Sequence, residues 1–285
     1  MVTYKEHYES CKSSFGRMLG PWSYDSVYEL GVDDNFLDDC ITPEYYSLIK
    51  DIRSAIDKKI KDQKGIFYDD HAIRINDWQD IPELEQLAQF FMPIIEHEIL
   101  GCYGKIEFLH PYRNIIHENP ETSSWTWHYD DCPDEFLKLF INLNEVTEDS
   151  GPLKYLELHD GSTSRIKTYN TVAGIRGTQP PLYPGSRIPQ EVVDKEIEKG
   201  GKIKSITGKP GSYAICTPNI IHRASVPKVG TEPRDVLFFF IRPTLKPCEQ
   251  YLKDTEYIDK IIILERNNKI KNLKHNGFLG SIKLA

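Results

Sequence analysis

The pattern of apolar and polar residues divides the chain into a helical first part and a strand-rich second part. Thr42-Pro43-Glu44 supplies an N-cap residue, a first-turn proline and an early acid, and apolar residues recur behind it at helical spacing, at Tyr46, Ile49, Ile52 and Ile56. This pattern predicts a helix over 43–63. A second helix is predicted from the capping pattern Asp80-Ile81-Pro82-Glu83 as far as Gly101, with a kink or an early end at Pro93.

From residue 103 onward, short segments rich in β-branched and aromatic residues alternate with turn residues. They predict strands at 104–109, 124–130, 136–143, 153–158, 202–206, 212–217 and 235–242. Helices followed by a run of short strands favour an α+β fold whose antiparallel strands form a sandwich or barrel.

We expect one domain spanning 1–285. Its expected parts are a helical region at 1–102, a β core at 103–245, and a C-terminal helix and tail at 246–285. Within the core, the stretch around 161–190 carries four Gly and four Pro with little periodicity. A segment of this length without regular structure is typical of a functional loop, and we expect a lid-like insertion at 159–200.

Composition narrows the classes of partner. The net charge of −8 disfavours nucleic-acid binding, because a nucleic-acid backbone must be neutralised by Lys and Arg. The six cysteines are scattered, without zinc or redox spacing, and the strongly apolar runs are only strand-sized. We expect a cytoplasmic protein that acts on a small molecule, without a nucleic-acid or membrane partner. The oligomeric state is left open.

The candidate chemistry lies in Trp127-His128-Tyr129-Asp130. Positions i and i+2 of a strand share a face, so His128 and Asp130 would present an imidazole and a carboxylate side by side. His222 is the candidate for a second imidazole, which would complete the two-His, one-carboxylate triad of non-haem Fe(II) oxygenases. Twelve residues later, Arg234 opens a strand and could hold a dicarboxylate co-substrate in a bidentate manner.

Taken in order along 104–243, these features resemble the phytanoyl-CoA-dioxygenase-like branch of the Fe(II)/2-oxoglutarate oxygenases. The resembling segments are Trp127–Asp130, Leu137–Asn144, Gly151-Pro152-Leu153, His222-Arg223-Ala224 and Arg234. The resemblance implies a double-stranded β-helix, a jelly-roll or cupin-like barrel, with N-terminal helices packed outside it and a C-terminal helix.

The resemblance also implies roles for individual residues. His128, Asp130 and His222 would bind Fe(II), and Arg234 would bind the distal carboxylate of 2-oxoglutarate. Three iron positions would remain for 2-oxoglutarate and O₂, and the products would include succinate and CO₂. Because Asp130 is present, hydroxylation, desaturation or ring formation is favoured over halogenation.

This sequence departs from the family pattern at two places. The segment Glu157–Ser162 replaces the Pro-Gly-Ser-His that often follows the Gly151-type turn. Ala224 stands two residues after the distal His, where a hydroxyl often helps to hold the co-substrate. Ser225 follows and is the candidate for that task, but the residue that assists Arg234 is left open.

Strand alternation adds further candidates for the pocket. Phe136, Lys138, Phe140 and Asn142 share one face of a predicted strand, while its other face is aliphatic and should pack under the N-terminal helices. Lys138 and Asn142 are therefore candidates for co-substrate binding, and Phe140 is a candidate for substrate binding. Core packing of Phe140 is an equal alternative, and a surface position is the slightly favoured interpretation of Lys138.

The insertion also suggests a substrate class. Residues 161–190 contain no Asp or Glu and four basic residues: Arg165, Lys167, Arg176 and Arg187. Basic side chains near a substrate mouth could attract a carboxylate or phosphate, so Arg176 and Arg187 are candidates for contacting an anionic substrate. A solvated loop of accidental charge is the alternative.

Two other functional classes stay open at this point. A cupin-like metalloenzyme would use the same barrel without 2-oxoglutarate and would not require Arg234. A non-catalytic β-barrel module that binds a ligand or a protein would need no metal.

Overall fold

The computed structural model describes residues 4–15, 27, 30–68, 72–115, 123–130, 136–166, 183 and 186–252. Its helices are α1 (Tyr4–Phe15), α2 (Pro43–Lys61), α3 (Glu83–Ile94) and α4 (Gln190–Glu198). Its strands are β1 (Val32–Asp33), β2 (Ile66–Tyr68), β3 (Ala72–Ile75), β4 (Gly104–Asn114), β5 (Leu137–Asn142), β6 (Leu153–Glu157), β7 (Lys202–Ile206), β8 (Tyr213–Cys216), β9 (His222–Arg223) and β10 (Asp235–Pro243).

The two helices predicted from periodicity are confirmed. Thr42 caps α2, since its side chain accepts a hydrogen bond from the Tyr45 backbone N–H at 3.5 Å. In α2 the buried aromatic residue is Tyr45, and Tyr46, which the apolar pattern had placed in the core, is 51% exposed. After Pro93, which lacks a backbone N–H, the α-helix α3 gives way to a π-helical turn, Ile95–Leu100.

The strands form two antiparallel sheets. The larger has seven strands in the order β1–β8–β5–β10–β4–β3–β2, and the smaller has three in the order β7–β6–β9. Side chains from both sheets meet in one apolar cluster, which includes Phe140, Ala214 and Val236 from the large sheet and Leu153 and Ile206 from the small one. The sheets therefore pack face to face, and the chain has an α+β architecture.

Six of the seven predicted strands are confirmed. The predicted strand 124–130 is wrong: Ser123–Trp125 forms a 3₁₀ turn, and only His128 makes a strand-like bridge. β4 extends past its predicted end at 109 and runs through Pro111 to Asn114. A proline is tolerated in β4 because β3 pairs only with residues 112–114, which leaves Pro111 with β10 alone as its neighbour.

The two faces of β5 separate the core from the interior between the sheets. As predicted, its aliphatic face packs under the helices, in the cluster that contains Ile49 and Ile52 of α2 and Leu84 and Phe91 of α3. The other face points between the two sheets, where Phe140 lies in the shared apolar cluster. All six residues of β5 are buried, so both faces of the strand are covered.

β10 shows the same alternation with charged residues. Arg234 precedes the strand and is buried, while the next residue, Asp235, forms a bidentate ion pair with Arg113 at 2.6 Å for both contacts. Arg113 also binds Asp57 of α2, and Arg53 of α2 lies 3.5 Å from Asp235. This ion-pair network connects β10 and β4 to α2.

The insertion and the C-terminal segment differ in how far the structure tests their predictions. The insertion contains α4, a helix that the sequence pattern did not predict. The predicted C-terminal helix lies outside the described residues from 253 onward, while Tyr251 and Leu252 donate backbone hydrogen bonds to Glu85 of α3. Among the described residues, no helix combines the length and the apolar character that crossing a bilayer requires.

Asp235→Asn should lower the free energy of unfolding by about 2–3 kcal/mol, because the variant leaves Arg113 without its buried carboxylate partner. Chemical denaturation measures this change. Asp51→Asn, at an exposed position of α2, is the matched control and should change the free energy by less than about 0.5 kcal/mol. Equal effects of the two variants would contradict the importance of the network.

Candidate active site

Backbone hydrogen bonds place the two candidate imidazole ligands side by side. His128 and His222 form a reciprocal antiparallel bridge, in which each backbone N–H donates to the other residue's carbonyl at 2.9 and 2.8 Å. Their ring centroids lie 4.3 Å apart. The bridge therefore joins two segments that are more than ninety residues apart in the sequence.

Both rings are held in the same tautomer. Nδ1 of His128 lies 2.8 Å from the Thr126 carbonyl oxygen, and Nδ1 of His222 lies 2.8 Å from that of Ile220. In this geometry Nδ1–H donates, so each Nε2 keeps its lone pair for a metal ion. Burial lowers the pKa of His128 to about 4 and holds that of His222 well below its ordinary value, so both rings are neutral near pH 7.

The carboxylate of Asp130 faces both rings. Its two oxygens lie 3.9 Å from Nε2 of His128 and 3.8 Å from Nε2 of His222, and the backbone N–H of Asp130 donates to the Pro218 carbonyl. Burial opposes ionisation, but the Lys138 ammonium, followed by the two imidazoles, holds the pKa of Asp130 well below its usual range. One ligand atom from each residue of the triad lies within 4.8 Å of the others.

Lys138 is buried, with 4% of its surface exposed, so the favoured interpretation of it as a surface lysine is wrong. Its ammonium pairs with Asp130 and lies 3.4 Å from Nε2 of His222. Three aromatic rings surround the same ammonium, at 4.6 to 5.5 Å from their centroids: Phe140, Phe238 and Phe240. β5 is a central strand covered on both faces, which explains why its lysine lies inside.

Arg234 is 1% exposed and belongs to the interior of the two-sheet core. Its Nη2 donates to the Tyr112 hydroxyl at 3.1 Å, and its Nε has no hydrogen-bond partner among the described residues. No ion pair joins Arg234 to a carboxylate anywhere in the described ranges. A buried guanidinium of this kind is suited to an anionic ligand. Arg242, which lies on the same strand eight residues later, pairs with Glu107 and is therefore a weaker candidate for binding an anionic ligand.

The remaining co-substrate candidates have different surroundings. Asn142 lies on the same inner face, but its side-chain amide donates to Ser212 Oγ at 3.0 Å. The hydroxyl of Ser225 is buried and has no hydrogen-bond partner in the part of the chain that the structure describes. Gly151 packs closely against the Ser225 backbone: any other residue at 151 would place its Cβ 2.6 Å from the Ser225 carbonyl oxygen. The φ of +80° at Gly151 also favours glycine. Phe140 stacks on Phe238 at 5.1 Å and forms part of the apolar packing between the sheets.

Two of the four basic residues of the insertion lie next to the triad. Arg187 bridges His128 through its backbone, and its guanidinium charge contributes to the lowered pKa of His128. Burial lowers the pKa of Arg187, and the Asp130 carboxylate opposes that shift. Arg165 bridges Ile220, two residues before His222. Lys167 and Arg176 lie outside the described residues.

The sequence pattern did not reveal Tyr112 or two of the three rings around Lys138, those of Phe238 and Phe240. Tyr112 was overlooked because β4 was predicted to end at 109, so no face could be assigned to residue 112. Phe238 and Phe240 belong to a predicted strand, but only the pairing register shows that they lie opposite Phe140 and Lys138. An alternating pattern continued through Pro111 is the signal that could have placed Tyr112 on the inner face.

Known structures share this architecture. EctD from S. alaskensis in its apoform superposes with a TM-score of 0.51 and 16% sequence identity, covering 78% of this chain and 78% of that one. This chain has the EctD fold. At this level of identity the comparison concerns the fold and not the activity. No family model and no curated protein matches the sequence.

Two further structural neighbours give lower scores. SnoK, a non-heme alpha ketoglutarate dependent carbocyclase from nogalamycin biosynthesis, has a TM-score of 0.47 and 10% identity, over 79% of this chain and 85% of SnoK. HygX from Streptomyces hygroscopicus, crystallised with nickel and 2-oxoglutarate, has a TM-score of 0.45 and 10% identity, over 76% and 83% of the two chains. EctD itself has been crystallised with Fe, and with 2-oxoglutarate and 5-hydroxyectoine.

Proposed function

We propose that this protein is an Fe(II)- and 2-oxoglutarate-dependent oxygenase of the phytanoyl-CoA-dioxygenase-like branch, with a double-stranded β-helix core. Its reaction would hydroxylate, desaturate or cyclise a small molecule and release succinate and CO₂. The observation that carries the proposal is the combination of a His128–Asp130–His222 cluster with a buried arginine that has no carboxylate partner in the described part of the chain.

The donor set fits Fe(II). Two neutral imidazoles present Nε2 and one ionised carboxylate presents oxygen on one side of the cluster, which is the ligand type and number of the facial triad. Bound there, Fe(II) would supply the chemistry that couples decarboxylation of 2-oxoglutarate by O₂ to oxidation of a C–H bond. The EctD fold, found in a protein that has been crystallised with both Fe and 2-oxoglutarate, agrees with this assignment.

Arg234 fits the distal carboxylate of the co-substrate. Val236 pairs with Asn142, and Phe240 pairs with Lys138, so Arg234 lies at the opposite end of β5 from the triad. Arg234 lies six residues before Phe240, about 20 Å along the strand, so the long arginine and lysine side chains, the dicarboxylate and the metal ion would together span that distance. The guanidinium would hold one carboxylate while the triad side of the pocket receives the other end.

The protein's other residues would orient and shield the reactants. Lys138 supplies a cation beside Asp130 and could attract the carboxylate of 2-oxoglutarate nearest the triad. The rings of Phe140, Phe238 and Phe240 line the same interior and would exclude water from it. Asn142 and Ser225 remain candidates for positioning the co-substrate.

The primary substrate would be a small anionic molecule. Arg187 and Arg165 lie on backbone segments bridged to the triad region, and no acidic residue occurs in 161–190. Cationic side chains there would favour a carboxylate or phosphate group near the mouth of the site. The insertion 159–200 would act as a lid over this region, with Arg176 as a further candidate contact.

His222→Ala should remove bound iron and abolish succinate formation, because it deletes one of three ligands. The measurement combines metal analysis of protein purified anaerobically with a metabolite screen for substrate-stimulated succinate release. His159→Ala, at an exposed position, is the matched control. Iron without use of 2-oxoglutarate would indicate a cupin-like enzyme, and wild-type protein that binds no metal would indicate a non-catalytic module.

Arg234→Lys should raise the KM for 2-oxoglutarate roughly tenfold or more, because lysine keeps the charge but loses the bidentate geometry. Steady-state kinetics with varied 2-oxoglutarate checks this expectation. Arg242→Lys makes the same exchange at an arginine already paired with Glu107 and should leave the KM unchanged. The assignment is wrong if the two variants behave alike.

Arg187→Gln should raise the KM for the primary substrate about two- to fivefold at low salt, since an exposed charge pair contributes modestly and is screened. The KM for 2-oxoglutarate should not change. Lys195→Gln removes an exposed charge from α4 in the same insertion and serves as the control. A neutral primary substrate would contradict this part of the proposal.

A further inference from the structure

Tyr112 is a partly buried residue whose side chain contacts Arg234 directly. It lies on β4, pairs with Val236 of β10, and packs against the apolar cluster between the two sheets. Its hydroxyl accepts the hydrogen bond from Nη2 of Arg234 at 3.1 Å. Tyr112 is therefore part of the surroundings of the buried guanidinium.

Two arginines flank the Tyr112 ring. The guanidinium carbon of Arg234 lies 5.8 Å from the ring centroid, and that of Arg74 lies 5.6 Å from it. Arg74 pairs with Tyr112 across β3 and β4, so its position follows from the register. Tyr112 thus lies between two guanidinium groups, an arrangement that favours an anion over a cationic ligand.

Two hydrogen-bond donors, the Tyr112 hydroxyl and the Nε–H of Arg234, lack an acceptor among the described residues. The Tyr112 hydroxyl accepts from Arg234, and within the described ranges its own proton is not donated to any acceptor. The Nε–H of Arg234 is likewise buried without a partner. A carboxylate offers about four lone-pair positions on two oxygens, so one carboxylate can accept from both the guanidinium and the phenol.

We propose that Tyr112 is the second donor to the distal carboxylate of 2-oxoglutarate, with its hydroxyl oriented by Arg234. This inference rests on the proposed function and names the residue that assists Arg234. Ser225 is the competing candidate, because its buried hydroxyl also lacks a partner. Tyr112 is favoured since it contacts Arg234 directly, whereas the hydroxyl of Ser225 has no hydrogen bond to that residue.

The assignment predicts a selective effect on one end of the ligand. Tyr112→Phe keeps the ring and loses the hydroxyl, so the affinity for 2-oxoglutarate should fall roughly tenfold, with a matching rise in KM and a smaller change in kcat. The affinity for 2-oxobutyrate, which has the same keto-acid end without the distal carboxylate, should not change. If Tyr112 only supported the structure, Tyr112→Phe would lower the affinity for both 2-oxoglutarate and 2-oxobutyrate.

Titration calorimetry of the iron-loaded protein under anaerobic conditions measures these affinities. Tyr213→Phe is the matched control, because it removes another buried hydroxyl. That hydroxyl donates to Asp38 at 2.6 Å and does not contact Arg234. It should lower stability without changing either affinity. In combination with Arg234→Lys, Tyr112→Phe should have less than its single effect, since both residues bind one carboxylate.

The outcomes separate this inference from the proposed function. Wild-type protein that does not bind 2-oxoglutarate overturns both. Wild-type binding with an unchanged affinity in Tyr112→Phe, or a selective loss in Ser225→Ala alone, overturns only the assignment of Tyr112. If Tyr112→Phe does not fold, the second variant is Tyr112→Met. Methionine has a similar length and no hydroxyl, so the same expectation applies.

Discussion

The burial of Arg234 without a carboxylate partner is the constraint on which the interior depends. Removing an arginine from water costs several kcal/mol, and an unpaired buried charge does not recover this energy from the protein. Among the described residues, the guanidinium has only the hydrogen bond that it donates to the Tyr112 hydroxyl and its contact with the Tyr112 ring. The free energy lost there can be regained by an anionic ligand.

Strand alternation allows the protein to hold this charge. Arg234 and Asp235 are neighbours on opposite faces, and only Asp235 enters the ion-pair network that connects β10 to α2. The apolar face of β5 provides the packing against the helices, while its inner face carries Lys138 and Asn142. A one-residue shift in the register of β5 would exchange these two faces, so the helix-side packing also fixes the polar interior.

The sequence predicted the parts of this arrangement that depend on local patterns. The Thr42 cap, the periodicity of α2 apart from Tyr46, and the alternation of β5 are local, and the structure confirms them. The capping pattern predicted at Asp80 is wrong, since Pro82 is the N-cap residue of α3 and no side chain caps that helix. The grouping of His128, Asp130 and His222 was inferred from residue type, order and strand alternation. Their roles as iron ligands remain predictions, as do the domain boundaries and the cofactor-binding residues.

The features that the sequence did not predict depend on long-range pairing. His128 is held by isolated bridges to His222 and Arg187 and not by a strand, because its partner segments lie at 186–188 and 218–222. Lys138 looked like a surface residue because its burial requires β8 and β10 on either side of β5. Tyr112 could not be placed until β4 was seen to continue past Pro111.

The three functional classes left open by the sequence differ in what they require of the interior. A cupin-like metalloenzyme requires the triad but gives no reason for burying Arg234, and a non-catalytic module gives no reason for two histidines with identical Nδ1 hydrogen bonds. Each alternative therefore leaves one energetically unfavourable feature unexplained: a buried unpaired cation, or two buried imidazoles whose Nε2 atoms face one carboxylate. An oxygenase that binds both a metal ion and a dicarboxylate uses both features. The dicarboxylate supplies the negative charge that Arg234 lacks, and the metal ion supplies the cation that the two imidazoles and the Asp130 carboxylate can bind.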